Sequence, residues 1–237
     1  GLGNDARGYH AYHWLEYGYL QEAKKEEAKK MVLDMQQYAS ETPSKTGRLY
    51  LVCLKGTYLI ETKDWGGEIA SIPVNITDLN VSIRSQYHFL EGMKAYVKSD
   101  ANLLDSIIDI TEKDYARESF VLSNSTSKIC SAVSRDEASN RDLIESKIRQ
   151  TQLRALQATL KKDSALAEKY FLESIDLEES ISYSYGPPSV QKPTRELYAD
   201  WLVAQNKNEA AAIQYEMILK SAPKRLLALK GIEMAKG

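Results

Sequence analysis

The chain has 237 residues, 43% of them hydrophobic and 27% charged, which is enough apolar material for a real core in one large or two ordinary domains. Its 31 lysines and arginines nearly balance 33 aspartates and glutamates, and the formal net charge of -2 argues against a general binder of nucleic acid or anionic membranes. With only 12 glycines and 6 prolines it is too poorly punctuated for a turn-rich β-sandwich, so the expected class is all-α.

The first residues, "GLGNDARG", begin mid-pattern without an initiator Met and read as a trimmed N-terminus with no signal peptide. No apolar run approaches the roughly 20 residues of a transmembrane helix, so no membrane insertion is expected. Whether the protein is cytoplasmic or periplasmic stays open. Cys53 and Cys130 lie far apart with no ligand at metal spacing; both read as small buried hydrophobes, and a disulfide between them stays open.

Residues 8–32, "GYHAYHWLEYGYLQEAKKEEAKKMV", open with four tyrosines, a tryptophan and two histidines. At about 100° per residue, Tyr12, Leu15, Glu16 and Tyr19 share one side of a helix and His10, His13, Tyr17, Leu20 and Gln21 the other. Lys24 and Lys25 mark a short connection, after which Ala28, Met31, Val32 and Met35 recur at helical spacing. The pair is an antiparallel αα-hairpin, with the small Ala28 letting the axes approach. The "KKEEAKK" run at 24–30 is its solvated face.

Residues 45–62 form an apolar helix, followed by a turn at "KDW" and a short, weak second helix that Pro73 stops. Helices near 80–98 and 100–122 make the third unit, and residues 123–138 are a polar loop with a short helix. A fourth unit places Ala155, Ala158, Ala167, Phe171 and Ile175 around a turn at Lys162–Asp163. The fifth puts Tyr198, Ala199 and Leu202 inward before a turn at 206–208, then Ala211, Tyr215, Ile218 and Leu219, with Pro223 at its end. Between these two, "SYGPPSVQKP" at 184–193 reads as an ordered connection in which Gly186 caps the preceding helix.

These recurring hairpins are an internal repeat. At Tyr12, Leu15, Tyr19, Ala28 and Val32, at Ala167 and Phe171, and at Tyr198, Ala199, Leu202, Ala211, Tyr215 and Pro223, the chain resembles the tetratricopeptide repeat. Glu16 departs from that pattern, which has a small residue there, and Met35 and Ser174 replace a small alanine. The 44 residues from Ala167 to Ala211 also exceed the ~34 of a regular array. "YHAYHWLEYGYLQ" and "YSYGPPSVQKPTRELYADWLVAQNKNEAA" further resemble the second half of a largely uncharacterised bacterial family of such proteins. The resemblance implies an α-α superhelix of about five hairpins in units near 6–40, 43–73, 80–122, 137–181 and 193–222, plus a capping helix at 224–236.

Candidate chemistry is sparse. His10 and His13 could share a metal with Glu16 or a partner's carboxylate, but no further ligand is evident nearby and a groove surface explains them better. His88 reads as packing beside Tyr87. No phosphate loop, nucleophile elbow, HExxH or CxxC occurs, and no cofactor is expected. Sequons at Asn75, Asn80 and Asn124 read as chance triplets. The function expected is a scaffold that holds a partner's peptide or helix in its concave groove, with His10, His13, Tyr17, Leu20 and Gln21 as the groove wall. The competing expectations are a small-ligand or enzymatic site completed by a missing N-terminal half, and a structural spacer. Self-association stays open.

Overall fold

The computed structural model describes residues 8–41, 44–124, 138–182 and 186–236. Among them are ten α-helices and no strand: α1 (Tyr9–Gln21), α2 (Lys25–Glu41), α3 (Lys45–Thr62), α4 (Val81–Val97), α5 (Ala101–Asn124), α6 (Asn140–Leu160), α7 (Ser164–Glu179), α8 (Thr194–Ala204), α9 (Asn208–Ser221) and α10 (Leu226–Lys236). The all-α expectation is met.

Short polar side chains start several of these helices. The Ser44 hydroxyl accepts the Gly47 N–H, Asn80 accepts Ser82 N–H, Asp163 accepts Leu166 N–H, and Ser139 forms a reciprocal capping box with Asp142. The Asn80 of one sequon is therefore a helix cap.

Four hairpin turns are built identically. Ala23, Ser99, Lys162 and Asn206 each adopt a left-handed backbone with φ near 60°. In each, the next residue's N–H returns to the carbonyl five positions back: Lys24 to Tyr19 (2.8 Å), Asp100 to Ala95 (2.9 Å), Asp163 to Ala158 (2.9 Å) and Lys207 to Leu202 (2.9 Å). This is the Schellman arrangement that ends a helix by satisfying its last carbonyls. None of the four residues is glycine, so the turn leaves no glycine signal in the sequence.

Aligning the hairpins on these turns gives a common register. Five residues after each lie Ala28, Leu104, Ala167 and Ala211, and nine after lie Val32, Ile108, Phe171 and Tyr215, all buried. Seven before each lie Glu16, Gly92, Ala155 and Ala199. Three small residues stand there; a Cβ on Gly92 would run into the Leu153 side chain of α6, so this position lets α6 come close to α4. The first hairpin instead carries a glutamate. Packing follows the chain: α2 touches α1 and α3, α5 touches α4 and α6, α7 touches α6 and α8, and α9 touches α8 and α10, while α1 also packs directly on α3 and α4 on α6.

Two expectations are corrected. The 43–73 unit has no second α-helix; Gly66 and Gly67 and then Pro73 leave a single 3-10 turn at Ile69–Ser71, so α3 stands alone between two full hairpins. Leu15 does not pack inward but is 49% exposed. The polar loop assigned to 123–138 falls mainly outside the described residues.

The connection at 186–193 is tied into the interior. Arg149 Nη2 donates to Ser189 O (2.6 Å), Gln152 Nε2 to Lys192 O (2.8 Å), and Gln191 Nε2 to Cys53 O on α3 (2.7 Å). The segment thus lies against α3 and α6, held on α6 through its own carbonyls at Ser189 and Lys192 and on α3 through the Gln191 side chain. Gly186 does not cap α7, whose end is at Ser180; its φ of 92° carries the backbone against the Trp14 ring, where a Cβ would come within 2.4 Å of Cζ2.

Candidate functional site

The five residues assigned to the groove wall separate. His10 is exposed, its ring tilted against that of Trp14 with the centroids 5.3 Å apart. His13 Nε2 meets Thr57 Oγ1 at 2.8 Å, and its ring stands edge-on to Tyr50. Burial, with His10 nearby, lowers its pKa to about 4. Leu20 is only 3% exposed and belongs to the core. Gln21 donates to Glu61 Oε2 (3.2 Å) and accepts the Leu226 N–H (2.9 Å). The helix face read as open is covered because α3 packs on it and the segment after α9 crosses to it. Of the five, Tyr17 lines the larger cleft among the described residues and Leu20 the edge of a smaller one.

Arg225, between α9 and α10, makes that crossing. Its Nε and Nη2 donate to Glu196 Oε2 and Oε1 (2.6 and 3.0 Å), and its Nη1 lies 2.9 Å from Glu61 Oε1 and 3.3 Å from Tyr17 Oη. Lys192 Nζ donates to Glu196 Oε1 (2.8 Å) and Asp200 Oδ2 (2.6 Å), and Tyr215 Oη to Asp200 Oδ1 (2.6 Å). A two-pronged arginine–carboxylate pair with further donors is the geometry in which buried charges are well compensated. Burial works to raise the Glu196 pKa, yet Arg225 and Lys192 hold it at about 2. The first and last hairpins are joined through this network.

Glu16 is the opposite case. It is 0% exposed and neither carboxyl oxygen has a hydrogen-bond partner. Burial, reinforced by the Glu61 carboxylate, raises its pKa well above 4.5, which favours the neutral acid over the carboxylate.

Beside the network a cleft of about 310 Å³ opens between the end of α7, the 186–193 connection, the end of α9 and α1. Ile175, Pro188, Val190, Met217 and Ile218 give it apolar walls, and Tyr17, Glu178 and Arg225 its polar end. Glu178 Oε2 accepts the Thr194 N–H at 2.7 Å. Arg195 and Glu179 pair at the rim.

Sequence reading missed this constellation. Glu196 carried a signal, a charge embedded among the inward residues of "RELYADWL", with Lys192 and Asp200 at four-residue spacing on either side. Arg225 carried none, since it follows a helix-ending proline and belongs to no periodic pattern. Among the described residues no group of three or more His, Cys, Asp or Glu is arranged to hold a metal ion, and no helix is long and apolar enough to cross a membrane. His88 packs edge-on to Tyr87 at 6.1 Å. Cys53 is a free thiol that burial pushes up to about 12, while Cys130 lies outside the described residues.

These features define a class, an all-helical protein of stacked αα-hairpins whose two ends meet over a cleft. No family model, curated protein or solved structure matches the chain.

Proposed function

We propose that the protein is a tetratricopeptide-type interaction scaffold, and that it holds an extended segment of a partner polypeptide in the cleft between α1, α7 and α9. The observation that carries this reading is the cleft itself: about 310 Å³ of mainly apolar wall with a few convergent polar groups, the composition expected of a binding pocket. The neighbouring interior favours a peptide occupant, because the chain's own segment 186–193 is already held there through its backbone carbonyls. The groove thus has two parts, one filled by the chain itself and one open.

The test is to pan a displayed random peptide library on the full chain and then on a Met217→Glu variant. Met217 lines the cleft and is 37% exposed, so this change leaves the core intact. Enriched peptides that bind the unaltered chain and lose binding to the variant support the reading. Peptides indifferent to the variant, or no enrichment, overturn it.

A further inference from the structure

We infer that the cleft selects a segment bearing a lysine, with the alkyl chain against Ile175, Val190 and Ile218 and the ammonium at Glu178. This rests on the cleft being a polypeptide site.

The argument is one of charge. Arg225 is met by Glu61 and Glu196, and Lys192 by Glu196 and Asp200, so three carboxylates already face two cations. Among the described residues no cation remains uncommitted there for a bound anion. Glu178 is the exception among the acids: it lines the cleft, receives one backbone N–H from Thr194, and forms no ion pair among the described residues. A partner's carboxylate would enter beside this excess of negative charge, whereas an ammonium would complete it. The apolar walls suit the methylene stem, since lysine buries its stem along apolar surface while its head seeks a polar partner. Burial raises the Glu178 pKa against the opposing pull of the Thr194 hydrogen bonds, Arg149 and Arg225; an arriving cation favours the carboxylate, displacing any proton the group still carries. The rim pair Arg195–Glu179 is internally neutral and leaves this preference unchanged.

The probes are three capped single residues of similar length, N-acetyl N-methylamides of lysine, norleucine and glutamate, titrated onto the full chain. Binding is read from methyl chemical shifts of Ile175, Val190 and Ile218. The lysine derivative is expected to bind about tenfold more tightly than norleucine, as a hydrogen bond to a charged group allows, and glutamate more weakly than either. Glu178→Gln, which keeps an oxygen for the Thr194 N–H, is expected to erase the lysine advantage and leave norleucine unchanged. Norleucine binding as tightly as lysine, glutamate binding most tightly, or an advantage that survives Glu178→Gln overturns the lysine assignment while leaving the cleft as a binding site. Failure of all three to shift these methyls overturns the cleft reading and the inference with it.

Discussion

The first and last hairpins each bury a glutamate completely, with opposite consequences. Glu16, in α1, has no partner for either oxygen, whereas Glu196, in α8, receives N–H bonds from Arg225 and Lys192. Burial alone would raise both pKa values, and it does raise Glu16; in Glu196 the two cations reverse the direction. Partners decide whether a buried acid is a charge that joins elements or a neutral group that merely fills a slot.

That contrast is broken most severely by Glu196→Leu, which leaves Arg225 and Lys192 short of their shared partner. Removing one side of a buried charge network typically costs about 3 to 5 kcal/mol, and urea midpoints should show a loss of that size. The packing half of the comparison is tested at Ala211, fully buried opposite α8. Ala211→Leu overfills the contact and should cost about 1 to 3 kcal/mol, whereas Glu209→Leu on the exposed face should stay within about 0.5 kcal/mol. Equal midpoints would mean that the shared register of the four turns is wrong.

Glu16→Met sharpens the comparison in the opposite direction. It replaces an unsatisfied buried carboxyl by an apolar side chain of similar length, and a gain of about 1 kcal/mol is expected at neutral pH, since an unmet buried polar group is costly. The pH dependence has a definite sign. The folded pKa of Glu16 lies above its ordinary 4.5, so its contribution is whole below about 4.5 and is lost as pH rises through the folded value. Glu196, held at about 2, contributes above 4.5 and loses that contribution as pH falls through about 2. Stability curves of Glu16→Gln should therefore show a shallower decline above 4.5, the remainder coming from Glu61 and Glu178, whose pKa values burial also raises, while keeping the acid limb; a decline as steep as that of the unaltered chain would contradict the raised pKa of Glu16.

Much of the fold was legible. The inward residues of the fourth and fifth hairpins and the anomaly at Glu16 follow from spacing and residue size, because helical packing repeats at three and four residues. What was not legible depended on long-range closure. His13, Leu20 and Gln21 look like an exposed wall when α1 is read by itself; only the crossing of Arg225 and Leu226, some 205 residues later, covers Gln21. The second unit was overread as a hairpin because "GGEIASIPV" carries apolar spacing that its paired glycines and proline do not sustain. The cleft was invisible for the same reason, since its walls come from helices far apart in sequence.

Closure of the two ends through Arg225 is the feature on which the cleft and its proposed function depend, and a double-mutant cycle between Glu61 and Arg225 measures it directly. With Glu61→Gln and Arg225→Met made singly and together, unfolding free energies from urea titration should reveal a coupling of about 1 to 3 kcal/mol between residues that stand 2.9 Å apart. Additive losses, within about 0.5 kcal/mol, would mean that the last hairpin does not reach α3 and that the cleft does not form.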